Sequence, residues 1–87
     1  MLEFKEYKGR YFSATLGSDI QRDGMFLELY EIINGGEVIL AEIFFSDVDL
    51  SFTYSSFDES FSIPLEVLEG FISASREKLP PINVDVI

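Results

Sequence analysis

The sequence predicts an α+β fold, in which an antiparallel meander of about five to six strands precedes one C-terminal amphipathic helix. Two observations support this prediction. Apolar runs of strand length alternate with turn residues over most of the chain, and one segment with helical periodicity follows them. We expect the helix to pack on one face of the sheet, and residues 1–87 to form a single α+β domain.

The centre of the predicted sheet is a hairpin between two long apolar runs, residues 25–33 and 37–46. Two turns fit between these runs, Asn34-Gly35 and Gly35-Gly36. Both supply residues that tolerate positive φ, as two-residue hairpin turns require. The sequence leaves the choice between them open.

The two turns predict two strand registers. The first turn pairs Tyr30 with Ile39, and the second pairs Tyr30 with Ala41. Because the registers differ by two residues, the same side chains share each face in both. A three-residue loop would instead set Glu28 opposite Glu42, a like-charge pair that we expect to be disfavoured.

Both predicted faces of the hairpin are rich in apolar side chains, unlike those of a sheet with one face in water. One face carries Met25, Leu27, Leu29, Ile33, Val38, Leu40 and Phe44, interrupted by Glu31 and Glu42. The other carries Phe26, Tyr30, Ile32, Ile39, Ala41, Ile43 and Phe45, interrupted by Glu28 and Glu37. If the helix covers one face, the other must be covered by curling of the outer strands or by another chain.

The remaining strands are predicted from alternation and turn residues. A first strand ends at Lys8-Gly9-Arg10, and Tyr11–Leu16 alternates as a second strand. Gly17–Gly24 is then a polar loop. After the hairpin, Leu50–Phe57 alternates as another strand, and Phe61–Ile63 is a candidate for brief pairing.

Residues 64–79 have the period of an amphipathic helix. The side chains expected to be buried are Leu65, Leu68, Phe71, Ile72 and Leu79. Pro64 suits the first turn of a helix, and Pro80-Pro81 ends it. Ile82–Val86 then alternates like a short final strand, which either returns to the sheet or pairs with a partner.

The charge of the chain is strongly negative and unevenly distributed. The formal net charge is −10, and the stretch from Asp23 to Glu69 contains eleven acids and no Lys or Arg. Such a field repels nucleic acid and anionic membrane surfaces and attracts basic partners. No apolar run is long enough for a membrane span, and the charged N-terminus and absence of cysteine lead us to expect a cytoplasmic protein.

The sequence offers little catalytic chemistry, because it contains no histidine and no cysteine. The glutamates that interrupt apolar faces are Glu28, Glu31, Glu37 and Glu42, and two of them in a cleft would resemble a glycosidase acid–base pair. The simpler interpretation places each glutamate near a strand end or sheet edge, in contact with water. We therefore expect no enzyme activity.

No cofactor or metal motif is complete. Asp47–Ser51 begins like an EF-hand loop, but Phe52 stands where the turn glycine is needed. Asp19–Gly24 has the glycine, but Tyr30 occupies the position of the bidentate glutamate. The phosphate-loop and dinucleotide fingerprints are absent as well. We expect no cofactor and no metal.

The function that these observations favour is a small, non-catalytic, acidic module that binds a basic protein. Small bacterial immunity proteins and antitoxins sequester partners in this manner, and the parallel is one of size, acidity and lack of catalytic groups. The expected contacts are Asp47, Asp49, Asp58, Glu59, Glu66 and Glu69. The alternative is a structural module that forms a symmetric homodimer through the uncovered sheet face or residues 82–87. A carboxylate-based enzyme is the third hypothesis.

Overall fold

A computed structural model describes residues 5–79 as one antiparallel sheet with a helix after it. The elements are β1 (Lys5–Tyr7), β2 (Arg10–Asp19), β3 (Gly24–Ile33), β4 (Gly36–Ser46), β5 (Phe52–Ser56) and α1 (Leu65–Lys78). The strands lie side by side in sequence order, and each pairs with the next. The predicted α+β meander with one helix after it is therefore confirmed.

The β3–β4 turn is the first of the two predicted alternatives. Asn34 and Gly35 have φ values of 51° and 80°, and Ile33 pairs with Gly36 across them. Both central residues thus have positive φ, which matches the twist of the flanking strands. Tyr30 pairs with Ile39, as this turn predicts.

A bulge in β4 changes the register immediately beyond that pair. Leu29 pairs with Ala41 while Tyr30 pairs with Ile39, so Leu40 is an extra residue on its strand. The extra residue moves the rest of β4 to the opposite face. Glu28 consequently faces Glu42, and the prediction that this pairing would be avoided is wrong.

Because of the bulge, the predicted division of side chains between the two faces is wrong for the part of β4 beyond Leu40. Beyond it, Ala41 and Ile43 lie opposite Leu29 and Leu27, and Phe44 lies opposite Phe26. The core is a single cluster, made of Phe12, Ala14, Leu27, Leu29, Leu40, Ala41, Ile43, Phe45, Val67, Phe71 and Leu79. Since this cluster includes helix residues, α1 covers the face that carries Leu27 and Leu29.

We call the opposite side of the sheet the open face. Its side chains alternate with those of the core and are Tyr11, Ser13, Thr15, Phe26, Glu28, Tyr30, Ile32, Glu37, Ile39, Glu42 and Phe44. Most of them are half-buried, whereas Tyr11, Glu37 and Ile39 are exposed and Glu42 is buried. The edge strands β1 and β5 do not pair with each other, so the described sheet is open and not a closed barrel.

Contacts at both ends of α1 hold the helix across the covered face. Near its start, the Tyr7 hydroxyl donates to Glu66 at 2.8 Å. Near its end, the Arg76 guanidinium lies 5.0 Å from the centre of the Phe52 ring. The helix therefore runs from the β1 side of the sheet towards β5.

The buried side of α1 differs from the predicted one. The helix buries Val67, Phe71 and Ser75, whereas Leu65 and Ile72 remain 65% and 41% exposed. The buried side is therefore rotated about the helix axis relative to the predicted one, away from Leu65 and Ile72 and towards Val67 and Phe71. The predictions for Phe71 and Leu79 are confirmed, and those for Leu65 and Ile72 are wrong.

The predicted polar loop at Gly17–Gly24 is shorter in the structure. Gly17–Asp19 continues β2 and pairs with residues 24–26, so only residues 20–23 form the turn. Gly24 is packed so closely that a Cβ atom there would overlap the Phe45 carbonyl oxygen and the Phe44 ring. The glycine that suggested a turn instead permits close strand packing.

Three smaller predictions concern the segments after β4. The strand predicted over Leu50–Phe57 is Phe52–Ser56, with Leu50 at positive φ in the preceding turn. Phe61–Ile63 forms no strand. The possible final strand, Ile82–Val86, lies outside the described residues.

Candidate functional site

The six acids predicted to contact a partner lie on three segments. Asp47 and Asp49 are in the β4–β5 turn, Asp58 and Glu59 follow β5, and Glu66 and Glu69 are on α1. Five of these residues are exposed, and Asp58 is half-buried. All six are therefore accessible to solvent at least in part.

Some of these carboxylates also stabilise local turns. Asp49 accepts hydrogen bonds from the Ser51 backbone N–H at 3.1 Å and hydroxyl at 2.7 Å. Asp58 accepts the equivalent pair from Ser60. These serine contacts lower the pKa of both aspartates, and the Tyr7 hydroxyl lowers the pKa of Glu66.

The structure does not bring the six acids together in one patch. Asp47 follows Ser46, which pairs with Gly24 at one end of the sheet. Asp58 follows Phe57, whose N–H donates to the Leu40 carbonyl six residues back along β4. Six residues of strand separate the two by roughly 20 Å. Within residues 5–79, no three acids come together as a metal-binding group.

Arg22 and Glu42 form an ion pair on the open face that the sequence did not predict. The Arg22 guanidinium donates to both Glu42 oxygens, at 3.2 and 2.7 Å, and its Nε donates to Asp19. It also lies 4.1 Å from the centre of the Phe44 ring. The two carboxylates raise the pKa of Arg22, and Arg22 lowers that of Asp19.

Tyr30 lies at the centre of the other half of the open face. Its hydroxyl donates to Glu28 at 2.6 Å, and this bond, together with the nearby charge of Glu37, raises the pKa of Tyr30 to about 12. Ile39 is directly opposite Tyr30 and is 39% exposed. No Lys or Arg within the described part of the chain forms an ion pair with Glu28 or Glu37.

A second ion pair lies on the covered side of the sheet. Arg10 donates to both Glu31 oxygens, at 2.8 and 2.7 Å, and to the Ser62 carbonyl at 2.8 Å. Arg10 lowers the pKa of Glu31. An open depression of about 500 Å³ lies here, lined by Gly9, Arg10, Glu31, Ile32, Ile33, Ser60, Phe61 and Ser62. Because Arg10 also donates to the Ser62 carbonyl, the pair anchors the segment before α1 to the sheet.

The four glutamates that interrupt the apolar faces have different environments. Glu31 and Glu42 are each 6% exposed and are held by arginines, contrary to the expectation that water would reach them. Glu28 is half-buried and Glu37 is exposed. Glu28 and Glu42 do converge on the open face, but both oxygens of Glu42 are engaged by Arg22.

Among the described residues, no helix has both the length and the apolar character needed to cross a membrane. Neither a protein-family model, nor a curated protein, nor a solved structure significantly matches the chain.

Proposed function

We propose that this chain is a non-catalytic module that binds a basic protein partner. The observation that carries the proposal is that two of the six basic side chains form ion pairs with buried acids. Arg10 pairs with Glu31 and Arg22 with Glu42, so neither neutralises the exposed acids of the surface. Among residues 5–79, the exposed acids that remain are Glu6, Asp23, Glu37, Asp47, Asp49, Glu59, Glu66, Glu69 and Glu77. The absence of histidine and cysteine supports a binding role over a catalytic one.

An acidic surface of this kind acts chiefly on the rate of association. Exposed charges steer an oppositely charged protein into encounter, and salt weakens that steering. Asp47, Asp49, Asp58, Glu59, Glu66 and Glu69 contribute to this field from three separate segments. The proposal includes a cytoplasmic location, which the absence of cysteine supports.

The test compares the protein with a variant that carries amides at these six positions. Asn and Gln retain the oxygen that accepts the hydrogen bonds of Ser51, Ser60 and Tyr7, so the turns are preserved. Both proteins are immobilised and exposed to lysate at low salt. We expect the unmodified protein to retain basic proteins that elute by about 0.5 M NaCl, where the Debye length is only a few Å. The amide variant should retain far less. Recovery of no basic protein, or equal recovery by the variant, would contradict the proposal.

Self-association is the second candidate, and the edge strand β5 favours it. Its sequence, Phe-Thr-Tyr-Ser-Ser, contains no charge and no proline, and four of its five residues are exposed. Such an edge can pair with a second copy. Sedimentation velocity should then show a dimer that Thr53→Lys converts to monomer. A monomer at micromolar concentration would remove this candidate.

A further inference from the structure

The open face has two halves with similar side chains, and a side chain from elsewhere in the protein covers one of them. In the half near Gly24, Arg22 lies over Phe44 and pairs with Glu42. An aromatic ring and a carboxylate on this sheet therefore bind one guanidinium. This arrangement combines a cation–π contact with a bidentate ion pair.

We define the Tyr30 surface as the other half of the open face, formed by Glu28, Tyr30, Ile32, Glu37 and Ile39. Cross-strand pairing places Tyr30 opposite Ile39, and Ile32 opposite Glu37. The surface thus combines an aromatic ring, two aliphatic side chains and two carboxylates. Within residues 5–79, neither carboxylate has a cation partner.

We propose that the Tyr30 surface is the docking site for the basic partner, and that it receives an arginine side chain beside Tyr30, between Glu28 and Glu37. Apolar side chains of the partner pack on Ile32 and Ile39. This inference rests on the proposed function and specifies where contact occurs. Arginine fits better than lysine because its planar guanidinium stacks on a ring while donating to carboxylates in a fixed geometry.

Charge argues against a second copy as the occupant of this surface. A two-fold dimer through the Tyr30 surface would enclose two copies each of Glu28 and Glu37 without a cation. Desolvating unpaired carboxylates is costly, and each chain also carries a formal net charge of −10. A basic partner supplies the missing cation and relieves both penalties.

The test uses a synthetic peptide of about ten residues, long enough to span the sheet as one strand, in which every second residue is arginine or leucine in turn and the residues between them are serine, so that one side of the strand presents both. A matched peptide replaces every arginine with lysine. Each is titrated into ¹⁵N-labelled protein at about 50 mM NaCl, where surface charges are only partly screened. We expect the largest amide shift changes at residues 28–32 and 37–39, and weaker binding of the lysine peptide.

Two pairs of variants separate a docking site from general attraction. Glu37→Gln and Glu69→Gln remove the same charge, the first on the Tyr30 surface and the second on α1. We expect Glu37→Gln to raise the Kd about fivefold and Glu69→Gln less than about twofold. Ile39→Ser should weaken binding, whereas Val48→Ser, at a 76% exposed turn position, should not. All four sites are exposed, so each variant should fold.

The outcomes distinguish failure of the Tyr30 surface as the docking site from failure of the proposed function. Shift changes centred on Asp47–Asp49 or Asp58–Glu59, with equal effects of Glu37→Gln and Glu69→Gln, would overturn the Tyr30 surface while the proposed function stands. If neither the arginine peptide nor the lysine peptide binds, the Tyr30 surface and the proposed function are both overturned. A dimer of the protein alone whose contacts map to Ile32 and Ile39 would make a second copy the occupant and overturn the inference.

Discussion

Arg22 allows two glutamates to face each other on neighbouring strands. Glu28 and Glu42 are cross-strand neighbours, an arrangement that would normally destabilise the sheet. Arg22 lies over the sheet from the β2–β3 turn and pairs with both oxygens of Glu42, while Tyr30 donates to Glu28. Each carboxylate is thus stabilised by a separate donor, and the pair is tolerated.

Replacing Arg22 should therefore be costly. Arg22→Met keeps an apolar stem over Phe44 but leaves Glu42 buried without a cation. We expect the free energy of unfolding in urea to fall by about 2 kcal/mol, the range for a lost hydrogen bond to a buried charge. Lys78→Met, at an exposed position of α1, should change it by less than about 0.5 kcal/mol. Adding Glu42→Gln to Arg22→Met should restore part of the loss. An Arg22→Met variant as stable as the Lys78→Met control would contradict this role.

The Arg10–Glu31 pair should make stability depend on pH in a defined direction. Arg10 holds the pKa of Glu31 below its ordinary value of 4.5. Between the folded and unfolded pKa values, the unfolded chain binds more protons, so acid favours unfolding. The stabilisation is therefore complete above about pH 4.5 and is lost as the pH falls through the folded pKa.

The measurement compares Glu31→Gln with the unmodified protein in urea across that range. The variant should be less stable at pH 7, and the two curves should converge as the pH falls below 4.5. Glu69→Gln removes an exposed charge without breaking an ion pair, so it should show no such convergence. A stability difference for Glu31→Gln that stays constant with pH would show that the ion pair is not its cause.

At the scale of elements, the helix shows both what periodicity can predict and what it cannot. The 3.6-residue period, Pro64 and the two prolines after Leu79 correctly predicted a helix within one residue of α1 at each end. The period could not fix which part of the broad apolar stripe faces the sheet. That orientation depends on how Phe71 fits the sheet and on the Tyr7–Glu66 and Arg76–Phe52 contacts, which join residues distant in sequence.

Neighbouring positions on α1 test which side of the helix is buried. Phe71 is 3% exposed and Ile72 is 41% exposed. Phe71→Ala should lower the free energy of unfolding by about 3 kcal/mol, the range for removing a buried ring, and Ile72→Ala by less than about 1 kcal/mol. Urea unfolding of both variants decides the point. Equal losses would mean that Ile72 is buried against the sheet together with Phe71, as the sequence predicts.

The hairpin shows the same limit for strands. Asn34-Gly35 carries a turn signal that can be recognised locally, and the register beside it was predicted. The bulge at Leu40 carries no such signal, because Leu40 and the following Ala41 are both apolar. One extra residue reversed the faces of the rest of β4, and the Arg22–Glu42 pair depends on that reversal. The β3 side chains of the open face, and those of β4 before the bulge, were therefore predicted, whereas Glu42 and Phe44 beyond it were not.

At the scale of the whole molecule, two electrostatic effects oppose each other. The exposed acids repel one another, which destabilises the compact state. The Arg10–Glu31 and Arg22–Glu42 pairs stabilise it, and their glutamates are almost inaccessible to solvent. Salt screens exposed charges more strongly than buried ones. Repulsion among the exposed acids should thus be weakened by salt more than the two ion pairs are.

Added salt should therefore stabilise this protein. Raising NaCl from about 20 mM to about 0.5 M shortens the Debye length from roughly 20 Å to a few Å, which is less than most separations between surface acids. We expect the urea midpoint to rise steadily over this range, and to rise less in the variant with amides at Asp47, Asp49, Asp58, Glu59, Glu66 and Glu69. Sodium sulfate strengthens apolar burial as well as screening, so NaCl is the informative salt. A midpoint that falls with NaCl would show that the two ion pairs contribute more to stability than the acidic surface removes.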